Sequence, residues 1–218
     1  MLIRTIAEQP ETGRALISLD IPPLITPAIY EAWQNYPEQA RAGIIDRLPW
    51  GGLYIRFSDL QHIEAAGTCG SDVIRISRDY LEGELTPERR AELINTLQHE
   101  LTHFYLGHPT QETPYIKDEM ETRLQLIEWD LDRRGDHVFI DMIARLIASL
   151  ERLKDRINGI DHPWQRAELI SQAAGVILDE TGRLFTDREK SVYYLMELAG
   201  IETTGAIPPE RTGQPNKI

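Results

Sequence analysis

The sequence holds a single cysteine, Cys69, in 218 residues. An internal disulfide is therefore impossible, and no zinc site built on paired thiolates can form. Cys69 itself is read as an ordinary buried thiol. Long apolar runs are missing too: nothing approaches the roughly 18 consecutive apolar residues of a membrane-spanning helix. Positive charge is scarce, since 23 Lys and Arg face 35 Asp and Glu, for a net charge of −12. A surface of that sign repels a phosphate backbone and counts against direct nucleic-acid binding. A local basic group such as Arg145, Arg152, Lys154 and Arg156 reads as the solvated face of a helix. The opening stretch MLIRTIAEQPETGR turns polar early and lacks the apolar core of a secretory signal. These deficits together suggest a soluble, cytoplasmic protein with no membrane segment.

The patterning splits the chain into a β-containing front and a helical back. Short β-type runs are expected at Leu2–Ile6 and Ala15–Leu19, around a turn at Pro10–Gly13. Thr26-Pro27 reads as a hydroxyl cap followed by a first-turn proline, and Pro37 interrupts the helix that follows before a second piece reaches Leu48. GLYIRF (52–57) and DVIRIS (72–77) alternate and are rich in β-branched or aromatic residues, so both are expected strands. Gly67 and Gly70 punctuate the gap between them. From Thr86-Pro87 the pattern becomes helical: one helix to a stop at Gly107, a second around 115–134, and a third around 136–157. In the third, Phe139, Ile143, Leu146, Leu150, Leu153 and Ile157 form a stripe that ends at Asn158-Gly159. A helix over 163–180 should stop near Gly182. The last should start at the capping box Thr186-x-x-Glu189 and close at Gly200. The expected fold is α+β, a small N-terminal sheet packed on a central helix with a mostly helical C-terminal half. The tail, 205–218, has no hydrophobic pattern and is expected to be flexible.

What the chain does have is LQHELTHFYLGHP, residues 97–109. On a helix, Leu93, Leu97, Leu101 and Phe104 fall along one side, and His99 and His103 lie opposite with Glu92 and Thr96. The bland reading is an amphipathic helix whose wet face happens to carry histidines. The sharper one is chemical. Residues i and i+4 stand one turn apart, so two imidazoles can converge on one ion. Glu100, about 100° around from His99, stands beside that ion rather than on it and can accept a proton from activated water. H-E-x-x-H on a helix is the pattern of a zinc-dependent hydrolase that uses metal-activated water.

Zinc in a catalytic site takes three protein donors and leaves a fourth position open. His108 fits the metzincin spacing poorly, because Gly107 directly precedes it, and reads more simply as a loop contact after the helix stop. The next helix offers Asp118, Glu119, Glu121 and Glu128. Met120, Leu124, Ile127 and Leu131 mark its expected buried stripe, with Glu121 and Glu128 on one flank and Glu119 on the other. Periodicity does not choose among them.

DVIRIS, then a helix holding HELTHFYLGHP, then an acidic helix beginning with an E-x-E segment, resembles the ImmA/IrrE family of zinc metallopeptidases. The resemblance spans roughly residues 50–130. It implies a zincin-like metallopeptidase domain over 1–134, followed by a helical region at 135–204. It also implies that Glu121, matching the second glutamate of the family's E-x-E segment, joins His99 and His103 on Zn2+, with Glu100 as the catalytic base and Glu119 matching the first glutamate. Thr102 stands where the family usually has glycine, and Thr122 and Arg123 replace its Ala-Asn or Ala-Asp. The expected activity is hydrolysis of peptide bonds in a protein or peptide substrate, such as a partner transcriptional repressor. An exposed sheet edge, DVIRIS, is the expected seat for an extended substrate. The rival expectations are a non-enzymatic interaction protein with a vestigial or structural zinc site, and a helical adaptor with no metal.

Overall fold

Strand alternation in the first half produces a sheet with one buried face. The computed structural model describes residues 2–61, 65–111, 113–181 and 188–203. Among them, β1 (Ile3–Gln9) and β2 (Arg14–Leu19) form an antiparallel hairpin, and helices α1 (Thr26–Gln34) and α2 (Glu38–Arg47) lead to β3 (Leu53–Ser58). Strand β3 runs parallel to β2 on one side and to β5 (Val73–Ser77) on the other, and β4 (Gly67–Cys69) pairs antiparallel with β5. The strand order is β1-β2-β3-β5-β4. Register places Leu16 beside Leu53 and Ile55 beside Ile74, and these four, with Ile76, are buried in the core. Arg56 and Arg75 fall on the alternate set of positions and stay at least partly exposed, as a period of two requires.

The core joins these strand residues to Ile29, Ala32 and Trp33 of α1, Ile44 of α2, and Leu93, Leu97 and Leu101 of α3 (Pro87–Leu106). Helix α3 starts where expected: the Thr86 hydroxyl accepts the Arg89 N–H at 3.3 Å, and Pro87 occupies the first turn. It ends at Gly107, whose φ of 81° is left-handed and whose N–H reaches the carbonyls of His103 and Phe104.

Three local expectations differ from the structure. Thr26 does not cap α1: the helix already includes it, and its hydroxyl donates to the Pro22 carbonyl while accepting from Arg4. The region between GLYIRF and DVIRIS contains a strand, the three-residue β4, whose glycine at its start conceals any alternation. DVIRIS is consequently not an edge. It lies between β3 and β4, and β4 takes the outer position.

The helical half continues with α4 (Tyr115–Glu128), α5 (Arg134–Asn158), α6 (Pro163–Thr181) and α7 (Arg188–Leu198). The chain divides into two compact units, Met1–Thr113 with Asp118–Ile140, and Pro114–Lys117 with Asp141–Ile218, so the division falls inside α4 and α5 rather than between helices. In the second unit Ile143, Leu146, Leu150 and Ile157 of α5 are buried, along with Ile170 of α6 and Leu195 and Met196 of α7. Asn158 ends α5 and also ties down the chain after α7: its amide donates to the Gly200 carbonyl and accepts the Glu202 N–H. Gly182, Thr186 and the tail 205–218 lie outside the described residues. No described helix is long and apolar enough to cross a membrane.

Candidate metal centre

The C-terminal half of α3 is buried on every side, not only along its leucines. His99, Glu100 and His103 are 8%, 7% and 9% exposed, which removes the reading of a wet histidine face. Below the motif, Tyr36, between α1 and α2, donates its hydroxyl to the Gln98 carbonyl at 2.5 Å and meets the Thr102 hydroxyl at 3.2 Å. Thr102 in turn donates to the Gln98 carbonyl. That fully buried tyrosine–threonine contact accounts for a hydroxyl at a position where glycine is expected from the resemblance.

The two imidazoles converge. His99 Nε2 and His103 Nε2 are 3.0 Å apart, and Glu119 Oε1 lies 3.4 Å from the first and 3.3 Å from the second. The third member of this triangle is Glu119, not Glu121. Glu121 points instead to His108, with its Oε2 3.1 Å from His108 Nε2. The reason is the face that α4 buries. Ile116, Glu119, Thr122 and Leu126 form the buried stripe, whereas Leu124 is 48% exposed, so the stripe expected through Met120, Leu124 and Ile127 is rotated. A glutamate spaced three and seven residues from Ile116 and Leu126 was the available signal, and its charge hid it. Glu128 is exposed and bonded to Gln125.

Donors held about 2.0–2.1 Å from zinc at tetrahedral angles stand about 3.3–3.4 Å from one another. The two edges to Glu119, 3.3 and 3.4 Å, match that figure, and the His99–His103 edge of 3.0 Å is somewhat shorter. Without a cation a single N–H on one Nε2 satisfies at most one edge of the triangle and leaves lone pairs facing each other across another, whereas a cation can accept a lone pair from all three atoms. The residues present therefore fit a divalent ion of zinc's size and preference for nitrogen and oxygen.

The supports around the triangle are unequal. Glu119 Oε2 accepts from Arg123 Nη2 at 3.0 Å, and Arg123 Nη1 donates to Asp136 Oδ1 at 2.6 Å. Asp136 is 1% exposed and also accepts the Arg133 N–H. His103 Nδ1 lies 2.8 Å from His108 Nδ1 and 3.1 Å from the Thr122 hydroxyl. His99 Nδ1, by contrast, is buried with no hydrogen-bond partner among the described residues. Thr122 and Arg123 are thus the immediate supports of one histidine and of the glutamate.

Electrostatics separates the two buried carboxylates. Burial raises the Glu100 pKa to about 7; His103 opposes that shift and Glu119 adds to it. Burial also pushes Glu119 upward, but hydrogen bonds and charge from His103 and His99 outweigh it and hold its carboxyl well below the usual range. Glu100 is pressed from above by β4: a Cβ on Gly67 would stand 2.8 Å from Glu100 Cγ and 2.9 Å from its Oε1. Cys69, two residues along, is half-buried, and burial followed by the nearby Glu100 pushes its thiol pKa up. No protein-family model, no curated protein and no solved structure matches the chain.

Proposed function

We propose that the protein is a zinc-dependent peptidase of the H-E-x-x-H type, with His99, His103 and Glu119 as protein donors and Glu100 as general base. The observation that carries this reading is the donor triangle, whose edges of 3.0–3.4 Å are close to those expected for one face of a zinc tetrahedron. Among the described residues the group has three donors rather than four, as a catalytic site with an open position would. Zinc held there would act as a Lewis acid on a carbonyl and lower the pKa of water towards about 7.

The remaining work belongs to side chains of the chain itself. Glu100 lies next to the triangle without forming part of it, placed to take a proton from the attacking water and return it to the leaving amine. Arg123 holds the second oxygen of Glu119, so that the first stays directed at the imidazoles. Strand β4 is the outer strand of the sheet and its Gly67 lies against Glu100, which makes it a suitable edge for an extended peptide added as a further strand. The chemistry agrees with the resemblance to ImmA/IrrE metallopeptidases. That resemblance points to a partner regulatory protein, such as a repressor, as substrate in a cytoplasmic setting.

Replacing Glu100 by Gln tests the assignment. The variant should bind one zinc per chain and lose cleavage of a proteome-derived peptide library by at least about a hundredfold. If wild type and variant both bind zinc and neither cleaves any peptide or candidate repressor, the site is a structural one and the protein acts by binding.

A further inference from the structure

The group His108, Asp118 and Glu121 has the composition of a second metal site, yet the protons on two imidazoles argue for a different role. His103 Nδ1 and His108 Nδ1 are 2.8 Å apart, a separation that needs one N–H between them and forbids two. If His103 gives its Nε2 lone pair to a cation, its proton must sit on Nδ1. His108 Nδ1 is then the acceptor, which places the His108 proton on Nε2. There it meets Glu121 Oε2 at 3.1 Å, with Asp118 Oδ1 further off at 3.8 Å. The Thr122 hydroxyl, 3.1 Å from His103 Nδ1 and 3.4 Å from His108 Nδ1, flanks the same line and can share the His103 N–H or donate to His108 Nδ1, so every polar atom has a consistent role. A cation on His108 Nε2 would instead force its proton onto Nδ1, directly against the N–H of His103. The two clusters cannot both be ordinary metal sites at once.

We propose that His108, anchored by Glu121, is a positioning residue that fixes the His103 tautomer and thereby sets the affinity of the metal centre. The inference rests on the reading of His99, His103 and Glu119 as donors. Backbone geometry makes the contact possible: left-handed Gly107 ends α3 and turns the chain into a short 3-10 turn over His108–Thr110, which brings His108 back against His103. The His108 side chain is 4% exposed, so its hydrogen bond to His103 does not compete with solvent. Asp118 is itself held by the Thr113 hydroxyl at 2.5 Å and contributes negative charge beside the His108 ring. Because His99 Nδ1 has no comparable partner among the described residues, orientation of the imidazole pair depends on the His103 side. Outer partners of this kind typically change metal affinity about ten- to a hundredfold.

The test is zinc affinity, measured by competition with a chromogenic chelator on the full chain, for wild type and three variants. His108→Leu fills the space but offers no acceptor, and should bind zinc about ten- to a hundredfold more weakly. His108→Asn returns an oxygen acceptor near the former Nδ1 position and should recover most of that loss. Glu121→Gln, on a partly exposed side chain that leaves the core intact, should weaken binding by about a few-fold. Cobalt substitution supplies a spectroscopic check, because the visible bands of His108→Leu should shift and those of His108→Asn, which restores the acceptor, should return towards the wild-type spectrum. Equal affinity in wild type, His108→Leu and Glu121→Gln overturns the inference, as does an equal loss in His108→Leu and His108→Asn. Should His108→Leu fail to fold, Glu121→Gln and His108→Asn decide between the same outcomes. A wild-type chain that binds no zinc defeats the donor assignment itself, a result distinct from any of these.

Discussion

Gly67 stands so close to the proposed base that a single methyl group would collide with it. A Cβ there would meet Glu100 Cγ at 2.8 Å, an inner part of its side chain, and Thr96 Cγ2 at 2.9 Å, a methyl on a β-branched side chain that is stiff at χ1. Gly67→Ala should therefore displace either Glu100 or β4, lowering peptide turnover by at least about tenfold while zinc content stays at the wild-type level. The overpacking cost should be about 1–3 kcal/mol, and paired turnover and denaturation measurements check both figures. Loss of zinc without loss of turnover would contradict the placement. The same scale explains what could be read of the site beforehand. The approach of His99 and His103 was legible because residues four apart on a helix stand one turn above each other, close enough for their rings to meet. Glu119 was not, because choosing it required knowing which face of α4 is buried, and the apolar residues pointed to the wrong stripe. Arg123 and Asp136 were invisible for a related reason: their pairing depends on where α5 begins relative to α4, a tertiary relation with no local signature.

At the level of elements, α3 carries the account, and both of its ends are chemically specified. Thr86→Ala removes the hydroxyl that accepts the Arg89 N–H and should cost about 1 kcal/mol, read from chemical denaturation, with zinc affinity unchanged. Leu101, fully buried on the opposite face to the histidines, should cost about 2–5 kcal/mol when replaced by Ala. Truncation at Leu101 that left stability untouched would mean that α3 is not seated as described. Most elements were legible from patterning: the β1–β2 hairpin, β3, β5, and α3 to α6 all lie close to their expected positions. The exceptions have physical causes. Strand β4 has three residues beginning with glycine, so neither alternation nor propensity announces it, and antiparallel pairing with β5 creates it. Missing β4 also displaced the expected substrate edge from an outer strand to DVIRIS, an inner one. Thr26 carries the sequence signature of a cap, but the nearby Pro22 carbonyl and Arg4 guanidinium engage its hydroxyl instead.

For the whole molecule, the proposed metal binding would be linked to stability, because the proposed donors come from α3 and α4 and are brought together only when the chain folds. A ligand present at about a hundred times its dissociation constant stabilises the folded state by about 2.7 kcal/mol. In a domain of this size that raises the melting temperature by about 5–10 °C. Hydrogen exchange should localise the gain to α3 and the Asp118–Glu128 part of α4, with little change in α6 and α7. The net charge of −12 favours cations near the surface and disfavours nucleic acid, so the zinc response should persist in excess DNA. The central claim is that one cation binds His99, His103 and Glu119, and zinc stoichiometry in wild type, Glu119→Ala and Glu121→Ala tests it most directly. Elemental analysis after equilibration with saturating zinc and removal of the free metal should find about one zinc per chain in wild type and Glu121→Ala, and a loss in Glu119→Ala. Zinc absent from the wild type, or lost with Glu121 and kept without Glu119, would contradict the account.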